Sequence, residues 1–95
     1  MSKRKIYTFE DDLKYRLKNP AFRKAWEESE AEYLVSKALI EKRLVSRMSQ
    51  RVLAKKAKTT QAVISRIESM SANPSINLLK KIAAVFDSRL KISFT

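Results

Sequence analysis

Residues 50–69, QRVLAKKAKTTQAVISRIES, fit two short helices crossed at a tight turn, and no other stretch constrains the fold as much. Ser49 stands ahead of the first helix and Thr60 ahead of the second. Each offers a side-chain oxygen to an orphan N–H of the first turn. Small Ala54 lets the helices approach closely, and Leu53, Ala57, Ile64 and Ile67 fall where apolar side chains close the space between them. Gln61, Ala62, Ser65, Arg66 and Ser69 are left on the outer face of the second helix. That face is small and polar, and its amide and guanidinium match the base edges of a DNA major groove.

The rest of the chain must be divided without glycine, which is absent, and with only Pro20 and Pro74 as breakers. Thr8-Phe9-Glu10-Asp11 resembles a capping box with Asp in place of Glu. It opens a short helix to about Leu17, with Phe9, Leu13 and Leu17 on one face. Asn19-Pro20 restarts the chain as N-cap and first helical position. Phe22, Ala25, Trp26, Ser29 and Tyr33 then recur at helical spacing amid Glu27, Glu28, Glu30 and Glu32. Leu34, Ala38, Leu39 and Leu44 continue the apolar pattern, and no breaker decides between one long helix and two across residues 20–47. A loop over Met70–Asn73 precedes a helix capped by Ser75, whose Leu79, Ile82, Ala83 and Phe86 face a core. Leu90, Ile92 and Phe94 alternate with polar residues, the signature of a half-buried strand. One strand is not stable alone. Its partner is expected in a second copy of the chain, the preferred reading, or in Ile6–Phe9.

Composition narrows the chemistry. There is no cysteine for disulfides or thiolate metal sites, and no histidine, the commonest general base and nitrogen ligand. We expect no metal, no cofactor and no enzymatic activity. No apolar run approaches the ~20 residues needed to span a bilayer. The basic Lys3–Lys5 cluster is followed by IYTFEDD, not by an apolar stretch, so a secretion signal is not expected and a cytoplasmic protein is. Charge is segregated. Residues 1–41 hold 9 Lys/Arg against 8 Asp/Glu, whereas residues 42–95 hold 12 against 2. An excess of positive charge on the half that carries the paired helices favours polyphosphate partners through steering and counterion release.

The run ALIEKRLVSRMSQRVLAKKAKTTQAVISRIESMSANPSINLLKKIAAVFDSRLKISF, residues 38–94, resembles the Xre, or phage-repressor-like, helix-turn-helix family. MSQ, LA, TTQ, ISRIE, NPS and LLKKIA occur in order and with that family's spacing. The preceding DDLKYRLKNPAFRKAWEESEAEY and the closing LKISF look like HigA-type antitoxins. The resemblance implies an all-α fold, a lambda-repressor-like bundle. In this reading residues 1–32 form a partly helical extension, and residues 33–95 form the DNA-binding domain with a short C-terminal strand.

The resemblance also implies roles. Gln61, Ala62, Ser65 and Arg66 would face bases: Gln61 suits adenine, Arg66 guanine and Ala62 a thymine methyl. Gln50, Lys58, Thr59, Thr60, Ser71 and Asn73 would contact phosphate. Arg43 and Glu68 correspond to a structural ion pair. Leu90, Ile92 and Phe94 would form the dimer strand. Phe22, Trp26 and Tyr33 either cover the domain's own core or, as aromatics on an acidic helix, bind a cognate toxin, a basic RelE-like protein. Arg47, Lys58 and Met70 stand where similar sequences carry glycine, at turns calling for positive φ.

The expected function is a repressor of its own operon that binds a palindromic operator as a homodimer and neutralises a ribonuclease toxin. One alternative is an Xre-type regulator with no toxin partner. A second, a small basic ribonuclease, conflicts with the helix-rich pattern.

Overall fold

The computed structural model describes residues 9–94. Among them the elements are five helices: α1 (Phe9–Arg16), α2 (Pro20–Val45), α3 (Gln50–Lys56), α4 (Gln61–Glu68) and α5 (Ile76–Val85). The stretch from residue 20 to residue 45 is therefore one helix. Two compact units divide the chain, the first ending at Glu30 and the second beginning at Ala31. No helix among the described residues is long and apolar enough to cross a membrane.

In the first unit, α1 carries Glu10, Asp11 and Asp12 in its first turn and Lys14 and Arg16 in its last, complementing the helix dipole at both ends. Arg16 closes an ion pair of 2.6 Å onto Asp12 one turn earlier. Asn19 then caps α2: its Oδ1 accepts from the N–H groups of Ala21 at 2.9 Å and Phe22 at 3.2 Å. Pro20 at the first helical position has no N–H to satisfy. Arg23 Nε donates to the Leu17 carbonyl at 3.1 Å and so ties the turn to the helix that follows it. The expected Thr8 cap and residues 6–8 of the expected strand partner lie outside the described residues, and Phe9 opens α1.

In the second unit, Leu39, Leu53, Ala54, Ala57, Ile64, Ile67 and Ile82 form the buried core, with Val35, Met48, Leu78 and Phe86 packed around it. Leu53 and Ile64 are fully buried, which places the crossing of α3 and α4 at the centre. Hydroxyl caps start three helices: Ser49 accepts from Val52 N–H, Thr60 from Val63 N–H and Ser75 from Leu78 N–H, at 3.0–3.2 Å. Of the four apolar residues expected to face inward from α2 after Tyr33, only Leu39 does. Leu34, Ala38 and Leu44 are exposed, and Val35 takes part in their place.

Four helices end the same way, without glycine. Arg47, Lys58, Met70 and Asp87 have φ of 52°, 58°, 64° and 52°. At each site the next residue's N–H reaches back five positions: Met48 to Arg43, Thr59 to Ala54, Ser71 to Arg66 and Ser88 to Ala83, all at 2.8–2.9 Å. This is the Schellman arrangement, which normally uses glycine because a Cβ costs about 1–2 kcal/mol in the left-handed region.

The expected C-terminal strand is not there. Residues 87–94 form no regular element beyond the turn that ends α5, and no strand lies beside them among the described residues. Leu90 is half-buried, but Ile92 is 56% exposed and Phe94 99%. Alternation states which side chains share a face. It does not supply the neighbouring backbone that makes a strand.

Candidate nucleic-acid interface

The residues singled out on α4 share one surface. Gln61, Ala62, Ser65, Arg66 and Ser69 are all exposed, while Ile64 and Ile67 on the opposite side are buried. A helix of this length presents two turns of small and polar side chains, and no bulky residue among them would keep the backbone from entering a groove. Arg66 and Gln61 supply the long donors, and Ala62 and Ser65 leave room between them.

Behind that face is a polar brace. Arg43 of α2 donates from Nε to Glu68 Oε2 at 2.7 Å and from Nη2 to Oε1 at 3.1 Å, a forked pair with both side chains largely buried. Its Nη1 also donates to the Met48 carbonyl at 3.0 Å, which secures the turn before α3. The hydrogen bond with Glu68 raises the Arg43 pKa above its ordinary value, burial opposes this, and the carboxylate's charge adds to the rise. Gln50 Nε2 donates to Glu68 Oε1 at 2.9 Å, and Gln50 Oε1 accepts from Gln61 Nε2 at 3.5 Å. A chain of contacts thus runs Arg43, Glu68, Gln50, Gln61. It ends on the first residue of the exposed helix.

The remaining sites are distributed around this face. Lys58 and Thr60 are exposed and Thr59 is half-buried, all in the turn between α3 and α4. Ser71 and Asn73 are exposed in the loop after α4. The Ser71 hydroxyl is already engaged, sharing a 2.8 Å hydrogen bond with Ser69 and donating to Arg66 O at 3.3 Å. The Gln50 side chain is half-buried, donating to Glu68 at 2.9 Å and meeting Gln61 at 3.5 Å on the exposed side. Phe22 and Trp26 are half-buried in the first unit, where Arg16 lies 5.9 Å from the Phe22 ring, and Tyr33 is half-buried in the second. Sequence reasoning missed Ser36, which donates to the Glu68 carbonyl, and Asp87 as a fourth left-handed residue. Ser36 was legible in one respect: it lies seven residues before Arg43, and so on the same face of α2.

A family model described as helix-turn-helix matches residues 39–92, which contain α3, α4, α5 and the turns joining them. The chain belongs to the helix-turn-helix family. The match covers the face and brace just described, so this is a DNA-binding domain of the Xre-like kind carried by transcription regulators. In the helix-turn-helix, α3 is the supporting helix and α4 the one placed to enter the groove. No curated protein and no solved structure matches the chain.

Proposed function

We propose that the protein is a sequence-specific repressor that reads DNA through Gln61, Ala62, Ser65 and Arg66. The observation that carries this reading is an exposed, two-turn polar face on α4, backed by a buried ion pair. Lys58, Thr59, Thr60, Ser71 and Asn73 border the face and position it on phosphates, while Gln50 holds the Gln61 amide ready. Phosphate contacts orient the domain and base contacts select the sequence.

The protein acts as a homodimer in this reading, because one recognition helix covers only a few base pairs. Two copies about one helical turn apart, roughly 34 Å, read a palindrome. Support for a second copy comes from the apolar surface left open. A groove of about 370 Å³ lies between α2 and α5, with Leu34, Ala38, Leu79, Ala83, Phe86 and Leu90 in its wall. Beyond it the exposed Ile92 and Phe94 of the C-terminal arm await cover.

The finer proposal is an antitoxin. Eight of the ten acidic residues lie in residues 1–41, and the first unit sets Glu27, Glu28 and Glu30 on the same helix as Phe22 and Trp26. An acidic helix with aromatic anchors suits a basic partner such as a RelE-like ribonuclease toxin. The resemblance of NPAF…W…E.Y to HigA-type antitoxins points the same way. Co-expression with the neighbouring open reading frame, followed by footprinting on their shared promoter, tests both parts. Protection of a palindrome together with rescue of growth from the neighbour's toxicity is the expected result. Protection without rescue leaves a regulator with no toxin partner, and absence of protection removes the repressor.

A further inference from the structure

We infer that Ser36 is a positioning residue for DNA specificity: its hydroxyl, reaching from α2 to the end of α4, sets the axis along which the recognition helix lies. The inference rests on the reading that α4 contacts bases.

An α-helix leaves its last carbonyls without internal partners. At the end of α4 each is accounted for. Ser65 O accepts from Ser69 N–H at 3.0 Å, Arg66 O from Ser71 N–H at 2.9 Å and Ile67 O from Met70 N–H at 3.1 Å. Glu68 O is the one that the Schellman turn does not reach, and Ser36 Oγ donates to it at 2.6 Å. Ser36 is 6% exposed, the buried polar side chain of the described residues, and in α2 its hydroxyl bonds across to α4.

The ion pair and this hydrogen bond do different things. Arg43 grips the Glu68 carboxylate, which hangs from the helix on three rotatable bonds, and this fixes where the end of α4 is but not how the helix is turned. Ser36 grips the backbone of the same residue. Its anchor and that of Arg43 are seven residues apart on α2, about 10 Å along the helix. Two separated supports, one on main chain and one on side chain, remove a rotation that a single support permits. Base reading needs side chains held to about 0.5 Å and 10–20°. Phosphate contacts from flexible lysines tolerate more. Loss of the Ser36 bond therefore falls on selectivity more than on general affinity for DNA.

The test compares the full chain with Ser36→Ala and Ser36→Thr, all in an Arg47→Gly background chosen to offset lost stability. Circular dichroism confirms that each variant is folded. Affinity is then measured for the operator recovered by selection from random duplexes, and for a random duplex of equal length, at one salt concentration. Ser36→Ala is expected to weaken operator binding about tenfold, the scale of one misplaced base contact, with random-duplex affinity changed less than about twofold. Ser36→Thr, which keeps the hydroxyl, is expected to recover most of the preference. Hydrogen exchange should show the Met70 and Ser71 amides less protected in Ser36→Ala alone. A selective parent whose preference survives in folded Ser36→Ala overturns the positioning role and leaves base reading by α4 intact. Equal losses on both duplexes overturn it as well. A parent with no preference for any duplex overturns both readings.

Discussion

Arg66 is an exposed guanidinium near the end of α4 whose side chain faces away from the core. Replacing it with alanine should cost about 1–3 kcal/mol of operator binding and relax preference at one base pair, as measured by competition against a single-substituted site. An equal loss on random DNA would reassign it to phosphate. Glu68 tests the brace. Glu68→Gln leaves the largely buried Arg43 without its counter-charge and should lower unfolding free energy by about 3 kcal/mol in urea titration. On the arginine side the pair has no pH dependence in the working range. A raised folded pKa keeps its full stabilisation below the ordinary arginine value and loses it only above. The left-handed residues give a graded expectation. Glycine at Arg47 or Met70 should stabilise the fold by about 0.5–1 kcal/mol, the relief of strain less the added freedom of the unfolded chain. At Asp87 the gain should be smaller, since a short polar side chain tolerates that region.

The helices show which parts of the architecture were legible in residue order. Caps are local, so Asn19, Ser49, Thr60 and Ser75 could be read from neighbours within three positions, and each caps a helix. Ser75→Ala should therefore cost about 1 kcal/mol in thermal unfolding. The core between α3 and α4 was legible too, because two short helices sharing one small crossing leave few choices. α2 was not. It carries more apolar residues than the core uses, and which stripe turns inward depends on where Glu68 meets Arg43, a contact 25 positions away in sequence. Ser36 was missed for the same reason, being polar inside an apolar-looking stretch. The C-terminal strand failed differently: a pairing element needs a neighbour, and none appears among the described residues.

At the scale of the whole molecule, charge and apolar surface divide the work. The half from residue 42 onward carries the positive excess, so operator affinity should fall steeply with salt, in proportion to the phosphates engaged. Open apolar surface lies along α2, α5 and the arm. If a second copy covers it, Phe94→Glu should shift sedimentation to the monomer and weaken palindrome binding far more than half-site binding. An unchanged sedimentation profile would count against that arrangement.

Lys58 sits where these demands meet. Glycine there would harden the domain against heat, yet it would also remove an ammonium from beside the recognition helix, so tolerance of temperature and grip on the duplex move in opposite directions. At Asp87 no such conflict exists. Selection for heat resistance in the laboratory should therefore find the end of α2 first, the end of α5 for a smaller gain, and both before it touches the corner between α3 and α4.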